Sequence, residues 1–320
     1  MKRFVVPGFA VLWLARVVSI ALPADPDEAL ADCVERVAAD FDGSIGVYAR
    51  DLTTGRTFGF HQDELFCTAS VFKLPVMVEL FRRGEAGELS LKDRRRVSER
   101  ASRHGTGLLK CLRDSPELSL EDFCRLMIIH SDNIATDTLM EIADPESVTR
   151  TMTGLGFPKT RVSGNVTRMH YGLIGIDSSI GSPENDELLI QRSREGTLVV
   201  GGFADRSLNG NVTTPAEMGR LLEQLERGEV VSESASGQML AIMKETASRS
   251  MIPKHLPPGT VVAHKVGGTW RVKADVGIAY LDSGPVVMSL FAYCDPEERR
   301  ETEALARIAE CIAAWANAQK

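Results

Sequence analysis

The chain has 320 residues, 43% hydrophobic and 25% charged, with a net charge of −7. That is a globular mix with ample length for a core, as one large domain or two smaller lobes. Acidic and basic residues are interspersed, which excludes an extended nucleic-acid footprint: the one basic run (Lys92, Arg94, Arg95, Arg96 and Arg100) lacks interleaved aromatics and reads as a solvated face.

Lys2 and Arg3 precede an apolar run from Phe4 to Ala15, which Arg16 interrupts and Val17 to Leu22 resumes before Pro23-Ala24-Asp25. Residues 1–24 read as an export signal, with Arg16 out of character in its core. A cytoplasmic protein with an apolar leader is the alternative. No other stretch is long and apolar enough to span a membrane.

Asp27 to Phe41 carries Leu30, Val34, Val37 and Phe41 at helical spacing, and Gly43 ends it. Ser44 to Asp51 alternates through Ile45, Val47 and Ala49 as a half-buried strand, and Thr53-Thr54-Gly55 turns into a second strand from Arg56 to Phe60. Next comes a helix around Ser70-Val71-Phe72-Lys73, ending by Gly84, with Pro75 expected to kink it or leave a carbonyl unpaired. Ser119, with Asp122 at capping-box spacing, opens a helix through Leu120, Phe123 and Met127. After His130-Ser131-Asp132-Asn133, one helix runs through Ile134, Leu139 and Ile142, and a short one ends at Gly154 or Gly156.

Residues 157 to 212 are rich in glycine and serine and give no clear period, as expected of a connection that is functional or mobile. Thr214-Pro215-Ala216-Glu217 is an N-cap with proline at the first helical position. Met218, Leu221, Leu222 and Leu225 form the buried stripe up to Gly228, and Ser234 to Thr246 is a second helix. Three strands follow (Val261–Lys265, Asp275–Asp282, Val286–Tyr293), the last two joined at Ser283-Gly284-Pro285. Glu297 to Ala318 closes the chain as a helix with Leu305, Ile308, Ile312 and Trp315 inward.

Neither set of strands makes a sheet alone, so strands from the two ends share one. The expectation is an α/β fold: an antiparallel sheet flanked by helices, plus an all-helical lobe. Residues 25–65 and 213–320 form the α/β lobe and 66–212 the helical lobe, with a site between them. The six cysteines contain no C-x-x-C pair, which argues against zinc. Cys33 and Cys311 lie on the two terminal helices, and Cys111 and Cys124 are near in sequence. Export would permit disulfides, and six buried thiols remain the alternative.

Ser70 and Lys73 are three apart, so on a helix they share one face. A neighbouring amine activates a serine hydroxyl, and burial pushes a lysine towards the neutral form that does so. Alone, S-x-x-K is a weak signal. Downstream stand Ser131-Asp132-Asn133 and Lys265-Val266-Gly267. In this order the three motifs resemble those of the class A serine β-lactamases and penicillin-binding proteins, S-x-x-K, S-D-N and K-T-G. The resemblance extends to Met127–Asn133, Asn211-Val212-Thr213-Thr214-Pro215 and Leu256–Lys265, and covers about residues 27–160 and 211–318.

The resemblance implies a β-lactamase/transpeptidase-like fold and a serine hydrolase acting through an acyl-enzyme. Ser70 would be the nucleophile, Lys73 its proton acceptor, and Ser131 the donor to the leaving nitrogen. Asn133 would hold the acyl side-chain amide, and Lys265 would supply positive charge for a substrate carboxylate. Gly267 lets substrate lie close to the strand edge, and the backbone N–H groups of Ser70 and Gly268 would form the oxyanion hole. The substrate would be a small molecule, a β-lactam or related amide or ester. No cofactor, metal, nucleic-acid partner or stable membrane span is expected, and the chain is expected to be a monomer. Asp132 reads as a structural carboxylate, His130 and His264 as core residues.

Two departures stand out. The family activates its deacylating water with a loop glutamate five residues after an arginine. Counting from Arg161, that position is Val166, which cannot be a base. Asp177, Glu184, Glu187 and His170 in the longer loop read as surface residues. Val266 also replaces the threonine of the third motif, removing a donor worth roughly 1.5–3 kcal/mol to a charged acceptor, for which Thr269 or Arg271 would substitute. β-Lactam hydrolysis with slow deacylation is the leading function. A D-alanyl peptidase-like or esterase-like relative is the alternative, and a non-catalytic binder or sensor would have no need of all five polar site residues.

Overall fold

The computed structural model describes residues 25–294 and 300–318. Residues 1–24, with the expected export signal, and the first residues of the closing helix lie outside them. The chain begins with α1 (Pro26–Ala39), capped by Asp25, and continues into β1 (Gly43–Asp51), β2 (Thr57–Phe60) and the short β3 (Phe66–Cys67). A 3-10 turn, Ala69–Phe72, leads into α2 (Lys73–Glu85). Pro75 therefore sits in the first turn of α2, where no N–H needs an intrahelical partner, and the expected kink is not required.

The basic run forms β4 (Arg94–Arg96), exposed and paired with β5 (Glu117–Ser119). Next come α3 (Leu120–Ile129), α4 (Asn133–Ala143), α5 (Pro145–Gly154), α6 (Val166–Gly172) and α7 (Pro183–Glu195). Thus the unread stretch contains two helices. The short β6 (Val212–Thr213) pairs with β3, and α8 (Pro215–Glu226) and α9 (Glu233–Lys244) follow. β7 (Val261–Thr269), β8 (Val272–Leu281), β9 (Gly284–Cys294) and α10 (Glu301–Asn317) complete the described residues.

The main sheet has five antiparallel strands in the order β2-β1-β9-β8-β7. β1 pairs with β9 from Gly43↔Cys294 to Asp51↔Val286, so the two ends of the chain do share a sheet. Successive side chains on a strand point to opposite faces. On β9, Val286, Met288, Leu290 and Ala292 pack with α1 and α10, whereas Val287 and Phe291 join the larger cluster beneath α2, α3 and α8. Cys33 of α1 is bridged to Cys311 of α10. Cys67 and Cys124 are buried free thiols, Cys111 is an exposed one, and the buried Cys294 Sγ lies 3.9 Å from Arg271 O. No helix among the described residues is long and apolar enough to cross a membrane.

Candidate active site

Residues 66–69 and 71–81 are buried, and Ser70 alone in that run is partly exposed. The turn that presents it is held from two sides. Thr68 N and Oγ1 both donate to Asn211 O at 3.0 Å, while Val71 N donates to Thr68 O at 2.9 Å. Ala69 takes φ 42°, a left-handed conformation unusual for a residue with a side chain. Ser131 does the same at φ 52°. Such conformations cost about 1–3 kcal/mol each and persist only where the surroundings over-determine them. Here the fold holds both hydroxyls in place.

Lys73 opens α2 and is fully buried. Its Nζ donates to Ser131 O (2.8 Å) and Asn133 Oδ1 (2.8 Å) and lies 3.2 Å from Ser131 Oγ. Burial, reinforced by Lys265, holds its pKa well below the usual lysine range, against the pull of Asp137 and Asp132. A neutral amine has two N–H donors, which the two carbonyl oxygens satisfy, and one lone pair free to take a proton. Lys265 of β7 is also buried; its Nζ donates to Ser131 Oγ (3.1 Å) and Val266 O (2.7 Å). Burial lowers it to about 7, opposed by Asp275. Ser131 Oγ therefore sits between two amines.

β7 is an edge strand, so one side of its backbone is free of sheet partners. A Cβ at Gly267 would lie 2.7 Å from Thr68 O and 3.2 Å from Ser70 N. Only glycine lets the strand run this close to the Ser70 turn. Together they line a cavity of about 260 Å³ that includes Ser70, Ser131, Thr106, Val266, Gly268 and Lys273. Ser250, Met251, Gly267 and Thr302 complete the lining, which contains no carboxylate among the described residues.

Ser70, Ser131, Lys265, Gly267 and Gly268 thus come together, with Lys73 and Asn133 directly behind. Thr269 and Arg271 lie off the cavity: the Arg271 guanidinium stacks on Trp270 at 4.5 Å. The cation at the cavity is Lys273, opposite Gly268 in the β7–β8 register. Thr106, whose Oγ1 donates to Ser131 O at 2.7 Å, is a second residue the motifs did not reveal. Neither has a local sequence signal; strand register and loop path bring them in.

Asp132 is consumed by backbone, its carboxylate accepting from Ala135 N (2.9 Å), Leu108 N (2.6 Å) and Leu109 N (2.9 Å). His264 is buried, with Nδ1 2.8 Å from Asp275 Oδ1. His130 is exposed instead of buried, because it is the C-cap of α3. Val166 is buried at the first position of α6, and its N–H donates to Asp137 at 2.7 Å. Thr167 Oγ1 also donates to Asp137 (2.5 Å), whose pKa burial raises to about 6. Glu184 and Glu187 are exposed on α7, and Asp177 is paired with Arg168 at 2.6 Å. His170 is no surface residue: it is half-buried, and its Nδ1 is buried without a protein partner.

A family model described as "Beta-lactamase enzyme family" matches residues 29–316. The chain is 22% identical over 310 residues to an imipenem-hydrolyzing β-lactamase of Enterobacter cloacae, covering 95% of each protein. It is 25% identical over 200 residues to β-lactamase SME-1 of Serratia marcescens, covering 61% of this chain and 68% of that one. Among solved structures it resembles a β-lactamase from Sphaerobacter thermophilus, with a TM-score of 0.72, 24% identity and coverage of 91% of this chain and 98% of that one.

Proposed function

Because the chain belongs to the β-lactamase enzyme family, we propose that it hydrolyses β-lactams through an acyl-enzyme on Ser70. The observation that carries this reading is the relay behind Ser70: one hydroxyl, Ser131 Oγ, within 3.2 Å of Lys73 Nζ and 3.1 Å of Lys265 Nζ.

In the acylation step, neutral Lys73 takes the Ser70 proton as Oγ bonds to the lactam carbonyl carbon. The backbone N–H groups of Ser70 and Gly268 hold the oxyanion, usually the largest single catalytic contribution. When the C–N bond breaks, Ser131 gives its proton to the nitrogen and is resupplied by Lys73. Asn133 holds the acyl side-chain amide. Lys265 grips the substrate carboxylate, with Lys273 at the cavity wall supplying the second cation where Val266 lacks a hydroxyl.

Deacylation is the slow half, because Val166 offers no base and no carboxylate among the described residues lines the cavity. A D-alanyl peptidase-like or esterase-like relative would share the acylation half and differ in which adduct turns over. We also infer export of a single catalytic unit, with residues 25–65 and 213–320 as one lobe and 66–212 as the other. The Cys33–Cys311 bridge supports export, since disulfides persist in oxidising compartments.

A fluorescent penicillin tests the reading. It is expected to label the native protein and not Ser70→Ala. Equal labelling of both would remove Ser70 as nucleophile.

A further inference from the structure

One turn along α6 from Val166 stands His170, which the acylation steps leave unused. Its ring packs edge-on against Phe203 (5.1 Å between centroids) and against His104 (5.2 Å). A Cβ built on Gly105, which has φ +94°, would meet Asn133 Nδ2 at 2.2 Å and His170 Cε1 at 3.0 Å. The imidazole and the Asn133 amide therefore flank the same glycine. Asn133 Oδ1 accepts from Lys73 at 2.8 Å, so His170 is separated from the Ser70 relay by a single side chain. Beside Cε1 in the ring is Nδ1, buried and without a protein partner. Buried polar atoms are nearly always paired, with water where protein does not serve.

We propose that His170 Nδ1 binds the deacylating water and takes its proton, the task for which the family uses the glutamate absent here. This rests on the Ser70 acyl-enzyme. The ring carries its own proton on Nε2. The water oxygen bonds to the acyl carbon as its proton passes to Nδ1. The tetrahedral species collapses, the bond from carbon to Ser70 Oγ breaks, and Oγ recovers a proton from the imidazolium by way of Lys73. The imidazole ends neutral, and no co-reactant is consumed.

The surroundings set how well it works. Burial first, then the neighbouring His104 and Lys73, lower the imidazole pKa to about 3. Asp137 lies one turn back beneath the N-terminus of α6, and Asp186 of α7 and Lys110 act on His104 from beyond it. The ring is therefore neutral and able to accept throughout the working range, but it is a weak base. Proton-transfer catalysis is best when the base has a pKa near the working pH, so this base gives slow turnover.

Stopped-flow and intact-mass measurements on the full chain with nitrocefin, a chromogenic cephalosporin, test the inference. His170→Ala is expected to keep its acylation burst while its steady-state rate falls about 10²-fold, the lower end for loss of a general base. His170→Asn is closer in size and polarity and serves if the alanine variant does not fold. It is expected to keep the burst and lose at least about tenfold, since an amide cannot take the proton. Wild-type deacylation is expected to be flat from about pH 5 to 8, because the imidazole is neutral throughout. An intact burst with an unchanged steady state in these variants overturns the inference and leaves Ser70 acylation standing. Parallel loss of burst and steady state overturns it in favour of a structural role. A wild-type limb near pH 6 transfers the role to Asp137. A wild-type protein that forms no adduct on Ser70 overturns the parent reading and this one with it.

Discussion

Two buried ammonium groups around one hydroxyl repel each other, and neither has a carboxylate at contact distance among the described residues. Lys265 depresses Lys73, and burial depresses both. The cheapest arrangement at neutral pH is one neutral amine and one that carries the charge. Lys73, lowered well below its ordinary range, is the neutral one and the proposed base. Lys265, at about 7, is the group whose charge changes in the working range. The cation proposed to attract a substrate carboxylate is therefore present below about pH 7 and is lost above it. For a penicillin, kcat/KM is expected to fall above that pH, approaching about tenfold per unit for a single ionisation. Lys265→Arg, which stays charged, is expected to lose this limb whatever it costs in absolute rate. A limb that persists in the arginine variant would assign the titration to another group.

Elements were legible where their signals are local. Ser119 accepts from Asp122 N and Thr214 from Glu217 N, as the capping patterns imply. Ser182-Pro183 gives α7 the same kind of start, with Ser182 accepting from Asn185 N, and Gly196 ends it in the left-handed conformation. It escaped the sequence because Leu189 is its one buried residue, so there is no apolar stripe. α6 spans seven residues, too short for a period. The site divides in the same way. Ser70 and Lys73 are neighbours on one turn, and Ser131 and Asn133 flank a helix cap. Lys273 and Thr106 reach the cavity, and His170 the side of Asn133, only through strand register and the path of a loop that has no period. At this scale the bridge between α1 and α10 makes a separate prediction. It closes 278 residues and lies on the sheet face away from the Ser70 turn. Cys33→Ser is expected to lower unfolding stability by roughly 2–5 kcal/mol, read by denaturant titration, with the acylation burst unchanged. A loss of burst in the folded variant would show that the terminal helices also shape the site.

At the scale of the molecule, the sheet gives the chemistry its edge. β1 and β9 bring the two ends of the chain together, and β8 carries β7 to the outside, where its free backbone edge faces the Ser70 turn across Gly267. The helical middle supplies the Lys73 amine and the Asn133 amide behind the serine, and β7 supplies Lys265. What the middle does not supply is a carboxylate at the cavity. On the proposed reading, acylation is complete and quick, hydrolysis of the adduct is slow, and the adduct is expected to accumulate on one residue. Time-resolved intact-protein mass spectrometry with a penicillin, with peptide mapping of the product, reads this directly. The expected result is a rapid gain of one penicillin mass on the peptide holding Ser70, decaying slowly while substrate turnover shows a burst and a slow steady state. Rapid steady hydrolysis with no adduct and no burst, or an adduct on any other residue, would contradict it.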